Sequence, residues 1–112
     1  MNGVEGVLHS ALRGLSLRQR TIADNIANIE TPRFLAGKVD FESDLRDAVA
    51  EGRTAASAPS VARSLQPTRE DGNNVNLDEE TLASAETGLR YELTITALTN
   101  KFNGLRTAMG SS

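Results

Sequence analysis

The feature that most constrains this chain is a seven-residue repeat of apolar side chains in its N-terminal quarter. The repeat consists of Met1, Leu8, Leu15, Ile22 and Ile29, and the adjacent rows of the same helical face add Val4, Ala11, Leu12 and Ile26. Such spacing predicts an amphipathic helix. A sustained heptad keeps its seam on one side only when helices wrap around each other. The chain therefore needs a long helical partner.

The first helix is predicted to end near Asn28 or Ile29. Pro32 lacks an amide hydrogen and disfavours helical dihedral angles at Thr31, the residue before it. Asn28 is suited to the left-handed position that often closes a helix. A turn should therefore follow directly after the apolar repeat.

A second long helix is predicted after the turn-forming residues 71–74, whose sequence is Asp-Gly-Asn-Asn. Two residues are candidate N-caps. Asn76 would form a capping box with Glu79, and Asp78 would be flanked by Leu77 and Leu82 in a hydrophobic staple. Glu86 and Arg90 are spaced for an ion pair on this helix. Its apolar stripe alternates spacings of four and three and comprises Tyr91, Ile95, Leu98, Phe102, Leu105 and Met109, widened by Leu82, Ala85, Leu89 and Leu93.

The pattern is weaker between the two helices. Apolar and polar residues alternate over residues 35–41, which predicts a short strand. Apolar residues at helical spacing then predict a short helix over residues 42–51, closed by Gly52. Residues 53–70 contain two prolines and many small side chains, and we expect them to form a flexible or extended loop.

These elements predict a mainly α fold, in which the terminal helices pack as an antiparallel, coiled-coil-like pair. Residues 1–30 and 72–110 would form one inner helical domain, and residues 31–71 an irregular insertion with a short strand and a short helix. A lone pair of helices buries only part of each apolar stripe. We therefore expect neighbouring subunits to cover the rest, and folding to be coupled to assembly.

Three residues interrupt the helical patterns. Gly14 and Gly88 each cost about 1 kcal/mol in a helix interior relative to alanine. They are either tolerated or required by the close approach of another backbone. Asn25 is polar in an apolar row, where it either fixes the register between helices or is solvated near the helix end.

Composition excludes several classes of function. Fifteen acidic and twelve basic residues give a net charge of -3, which disfavours nucleic-acid binding. The absence of cysteine excludes disulfides, thiolate metal sites and cysteine nucleophiles. We see neither a signal peptide nor an apolar run long enough to span a membrane. The chain is expected to be soluble, or to leave the cytoplasm by a route that needs no such signal.

No constellation for catalysis is recognisable. His9 has no partner motif, so a solvated or packed histidine is the simpler interpretation. The acidic residues 71–80 differ from a calcium loop, because Asn76 replaces the required glycine and Leu82 the bidentate glutamate. We therefore predict no enzyme activity, no cofactor and no metal site.

Residues 22–34 resemble the N-terminal signature of bacterial flagellar axial proteins, the rod, hook and hook-junction subunits. That signature is an Ala-Asn-Asn-hydrophobic-Ala-Asn helix end followed by Thr-Pro-Gly-Tyr or a similar turn. The matching residues are Ala23, Asn25, Ala27, Asn28, Thr31 and Pro32. The chain departs from the pattern at Asp24, at Arg33, which replaces the glycine, and at Phe34. The departure at Arg33 leaves the geometry of the turn open.

A second segment, residues 71–80, is similar to the start of the C-terminal helix in a proximal-rod member of this family. The residues that carry this likeness are Asn73, Asn74 and Val75, and residues 39–42 add to it. The alternatives are another rod subunit of the same family and a generic coiled-coil adaptor. The adaptor leaves both asparagine-rich segments unexplained.

The resemblance implies a structural role in the flagellar basal body. Members pair their terminal helices in the inner layer of a helical tube, and they are exported unprocessed by the flagellar type III apparatus. Implied partners are copies of the chain, other rod subunits, the basal-body ring and the export apparatus. The resemblance also implies that Asn25, Asn28 and Thr31 lock the helix end. The expected assembly residues are Leu8, Leu15, Ile22, Ile26, Tyr91, Ile95, Leu98, Phe102, Leu105 and Met109.

Overall fold

The computed structural model describes residues 3–110, except for the side chains of Leu105 and Ala108. Met1, where the apolar repeat begins, and the predicted contact of the Leu105 side chain therefore lie outside the described part. The elements in chain order are α1 (Gly3–Ala27), β1 (Gly37–Val39), α2 (Glu42–Ala50), β2 (Val61–Arg63) and α3 (Leu77–Gly110). The prediction of a mainly helical chain with two packed terminal helices is confirmed.

The two long helices run antiparallel. The side-chain nitrogen of Gln19 donates to the carbonyl of Ser84 over 3.3 Å, and Leu12 and Tyr91 line one groove. The same offset places Gly3, the first residue of α1, opposite residue 100. The last ten residues of α3 therefore extend about 15 Å beyond α1. This overhang contributes to the elongated shape, which measures 67 × 26 × 14 Å.

The insertion lies along α1, on a side that α3 does not cover. β1 and β2 form an antiparallel pair in which Lys38 faces Ala62. The short strand and the short helix occur where they were predicted, and Gly52 closes α2 with a φ of +73°. β2 was not predicted, because its three residues lie in the proline-containing segment that was expected to be a loop.

Small residues on α1 allow the insertion to approach the helix closely. A Cβ on Gly14 would lie 2.4 Å from the ring of Phe41, and one on Gly6 would lie 1.7 Å from the carbonyl oxygen of Thr54. The group that approaches Gly14 closely is therefore an aromatic ring, and not another backbone. Gly88 has no such constraint within the described residues, since its nearest neighbour is the Gln19 side chain at 3.8 Å.

The core joins α1 to the insertion. Leu15, Val39 and Phe41 are buried together, and Ala11, Leu17 and Leu45 pack against them. α1 therefore packs against the insertion on one side and against α3 on another. Leu15 belongs to both the stripe and this core.

The ends of the helices show which capping predictions were correct. The N–H of Glu79 donates to the Asn76 side chain over 3.1 Å, so Asn76 is the residue that begins α3. The prediction that Asn28 takes the left-handed position is wrong. The left-handed residue is instead Arg33, in the turn six residues after the end of α1, with a φ of 62°, where the family signature has glycine. Its N–H donates to the carbonyl of Asp71 over 2.8 Å, and this contact holds the turn in place.

We predict that Arg33→Gly stabilises the chain by about 0.5 to 1 kcal/mol, because glycine removes the cost of a left-handed residue with a Cβ. Urea denaturation followed by circular dichroism measures the change. Arg46→Gly, within α2, is the control and should destabilise the chain by about 1 kcal/mol. Destabilisation by both substitutions would contradict the assignment of strain to Arg33.

Candidate functional site: the asparagine clamp and the helix faces

The end of α1 and the start of α3 are joined by the side chain of Asn73, which has no solvent exposure. Its Nδ2 lies 2.9, 3.1 and 2.9 Å from the carbonyl oxygens of Asn28, Ile29 and Thr31. Its Oδ1 accepts the N–H of Val75 over 2.7 Å. Each of these carbonyls also accepts a second hydrogen bond, from the N–H of Thr31, the Arg69 guanidinium and the N–H of Phe34 respectively. Asn73 therefore adds a buried link between the turn after α1 and the residues that lead into α3.

Asn74 connects the start of α3 to the two strands. Its Oδ1 accepts the N–H of Ala36 over 2.7 Å, and its Nδ2 donates to the carbonyls of Ser64 at 3.2 Å and Gln66 at 3.1 Å. Each of these backbone groups lies directly beside β1 or close to β2. Asn74 therefore supplies side-chain hydrogen bonds just beyond the ends of the paired strands.

Asn25 completes this arrangement from α1. Its carboxamide forms a reciprocal pair with Gly37, accepting its N–H over 2.8 Å and donating to its carbonyl over 2.9 Å. Asn25 is 1% exposed. It faces β1, so it neither sets a register between helices nor lies in solvent, the two interpretations open from the sequence. We call Asn25, Asn73 and Asn74 the asparagine clamp.

The other residues of the sequence motifs surround the clamp in different ways. Asn28 donates to the carbonyl of Asp24 over 2.8 Å, and the hydroxyl of Thr31 donates to Asn28 over 3.1 Å. Val75 is buried. Ala23, Ala27 and Pro32 are exposed on the surface nearby.

Arg69 supports the clamp and was not recognised in the sequence. Its guanidinium donates to the carbonyl of Val75 over 2.7 Å and also to that of Ile29. Because it lies in the segment predicted to be a loop, no periodicity marks it. The only feature of the sequence that points to Arg69 is its position just before the turn cluster at residues 71–74.

A second polar centre, also missed, is built on Arg18. Its guanidinium binds both carboxylate oxygens of Glu42, at 2.6 and 2.7 Å, and donates to the carbonyl of Val39 over 2.6 Å. It also lies over the Phe41 ring, 4.8 Å from its centre. Arg90 of α3 binds Glu42 at 3.2 Å instead of the predicted Glu86. The Arg18 centre thus links α1, the insertion and α3.

The predicted assembly residues divide into buried and exposed groups. Leu15, Ile22 and Leu98 are buried within the chain, and Leu8 and Ile26 are partly buried. The exposed group contains Tyr91, Ile95, Phe102 and Met109. In this conformation the first group packs inside the subunit, and the second group remains accessible to a neighbour.

α3 has two apolar faces on opposite sides. The side toward α1 carries Glu80 and Thr87 in its first half, both buried, and Leu98 further along. At 100° per residue, Leu82 and Leu89 lie on the far side. The row of Leu82, Leu89 and Leu93 is therefore separate from the stripe that it was predicted to widen.

Comparison with known proteins identifies the family to which this geometry belongs. The family model described as "Flagella basal body rod protein" matches residues 7–34, which include most of α1 and the turn after it. The flagellar basal body rod protein FlgB of Escherichia coli strain K12 is 31% identical, over 90% of this chain and 88% of its own length. FlgB of Bacillus subtilis strain 168 is 30% identical over 91% and 89%, and FlgB of Borrelia hermsii is 36% identical over 76% and 79%.

The chain belongs to the FlgB family of flagellar basal body rod proteins. It is accordingly a structural subunit of the flagellar rod. The region matched by the family model includes Asn25 and the carbonyls that Asn73 binds. Over residues 3–110, no helix combines the length and the apolarity needed to cross a membrane.

The Arg18 centre of this FlgB relative gives its stability a defined pH dependence. The hydrogen bonds from Arg18 hold the pKa of Glu42 below its ordinary value of 4.5, against the opposing effect of partial burial. A carboxyl with a lowered pKa in the folded state stabilises the fold above its unfolded pKa. That contribution is lost as the pH falls through the folded pKa.

We predict that Glu42→Gln lowers the free energy of unfolding by about 1 kcal/mol at about pH 7, a small effect because solvent screens a side chain that is 38% exposed. The difference from wild type should shrink as the pH falls below 4.5 and through the lowered pKa of Glu42. Denaturant titrations across this range measure it. Glu51→Gln, at the surface pair with Arg53, is the control. A difference that persists unchanged in acid would contradict the assignment.

Proposed function

We propose that the chain is a subunit of the proximal rod, which packs its helix pair against copies of itself and other rod subunits in the axial tube. In this role it transmits torque and encloses the export channel. The wall would be formed by residues 1–30 and 72–110, with residues 31–71 as an insertion. The similarity to FlgB proteins over nine-tenths of the chain supports this role.

The observation that carries the proposal is the overhang of α3. Phe102 and Met109 lie beyond the end of α1 and are 49% and 71% exposed. Large apolar side chains in such positions gain free energy when a neighbour removes them from water. Such exposed apolar side chains at the end of a long helix are suited to packing between neighbouring subunits.

The remaining parts of the proposal concern the route and the partners. We infer that the flagellar type III apparatus exports the chain without cleavage, and that the base of the assembled rod contacts the basal-body ring. The exposed members of the predicted assembly set, Tyr91, Ile95, Phe102 and Met109, would make contacts between subunits. Leu8, Leu15, Ile22, Ile26 and Leu98 would act through the stability of the subunit itself.

Deletion of the gene, followed by complementation, tests the proposal. Wild-type chain should restore swimming and complete rods, and Phe102→Asp with Met109→Asp should reduce swimming at least tenfold by placing charges in a buried contact. Motility in soft agar and electron cryotomography of basal bodies are the measurements.

Thr99→Asp with Asn103→Asp is the matched control, because both residues are polar and exposed on the same part of α3. It should swim like wild type. A deletion strain that swims and has intact rods would end the proposal.

A further inference from the structure

We propose that the outer face of α3 of one subunit docks into a groove beside α1 of a second copy of this chain. Glu79 and Glu86 of the first subunit would then face Arg13 and Arg20 of the second. This inference rests on the proposed function, because it names the surfaces through which two copies meet. It is carried by the shape, apolarity and charge of two separate surfaces of the subunit.

The outer face is the row of Leu82, Leu89 and Leu93, which are 62%, 62% and 60% exposed. At 100° per residue the three side chains lie within about 40° of each other, opposite the side that packs on α1. The row spans about 16 Å of helix. A continuous row of exposed leucines marks a surface that a partner covers.

The groove lies between α1, the segment before β2 and α3. Leu12, Leu17 and Tyr91 form its apolar floor, and the open space measures about 560 Å³. His9, Arg13 and Arg20 stand at its basic rim. From His9 to Arg20 the groove follows α1 for about 16 Å, the same length as the leucine row.

The charges of the two surfaces are complementary in sign and in spacing. Glu79 and Glu86 flank the leucine row and are seven residues apart, and Arg13 and Arg20 at the groove are also seven residues apart. Within the part of the chain that the structure describes, none of these four residues forms an ion pair. Opposite charges at equal spacing on two helices set the register of a contact.

The relation of the two surfaces determines the kind of assembly. Tyr91 lies at the groove, whereas Leu89 and Leu93 lie on the far side of the same helix. A subunit therefore cannot place its own leucine row in its own groove. A contact between two unlike surfaces leaves one of each free, so it continues from copy to copy as a ring or an open helix.

Two charge-reversal variants test the docking. The groove variant carries Arg13→Glu and Arg20→Glu, and the face variant carries Glu79→Arg and Glu86→Arg. Sedimentation velocity at low salt, up to about 1 mM protein, should show self-association of the wild type. Each variant alone should associate at least tenfold more weakly, because like charges meet at every contact. Arg46→Glu, at an exposed arginine of α2 outside both surfaces, should associate like the wild type.

An equimolar mixture of the two variants is the decisive sample. In it, the groove of the face variant meets the native face of the groove variant, and the reversed groove meets the reversed face, so both contacts pair opposite charges. The mixture should recover association to within about threefold of wild type. Recovery also demonstrates that both variants are folded, and circular dichroism melting curves check this independently.

Three results would overturn the docking: a wild type that stays monomeric, variants that associate as the wild type does, or a mixture that shows no recovery. Complementation of the deletion strain separates this inference from the proposed function. If both variants restore rods while the mixture shows no recovery, the rod role stands and this contact is refuted. Binding of the groove to another rod subunit, but not to a second copy, would likewise refute it.

Discussion

The hydrogen bonds of the Asn73 side chain are the constraint on which the rest of the structure depends. One carboxamide with no solvent exposure contacts the carbonyls of Asn28, Ile29 and Thr31 and accepts the N–H of Val75. Residues more than forty positions apart are thereby held at one place. Because the buried Asn73 carboxamide would cost about 1 to 3 kcal/mol if it were left unpaired, these bonds hold the turn after α1 against the residues that lead into α3.

The two long helices have different neighbours within the subunit. α1 lies between α3 and the insertion, and its small residues at Gly6, Ser10 and Gly14 let the insertion approach. α3 is covered on one side and extends past its partner. Its outer leucine row and its last turns are thus available to other subunits. The clamp stabilises the subunit, and the exposed surfaces of α3 are those that we propose for assembly.

Periodicity in the sequence predicted every element except β2, but not the partner of every face. The heptad of α1 and the closure by Gly52 follow from local rules and occur as predicted, and Asn76 is the one of the two possible caps that the structure uses. The assignment of the α3 leucines to the inner stripe failed because Glu80 and Thr87, both polar, are buried there instead. Spacing shows which residues share a face, whereas the neighbour of that face depends on contacts distant in sequence. The roles of Arg18 and Arg69 depend on such contacts too.

Amide hydrogen exchange at Val75 and Gly37 tests the central claim, that buried asparagine side chains hold the helix ends together in the single subunit. Both N–H groups donate to clamp carboxamides, at 2.7 and 2.8 Å. The account predicts opening free energies within about 1 kcal/mol of global unfolding for both amides in the monomer. Exchange at the rates of unprotected loop amides, with the helices still formed, would contradict it.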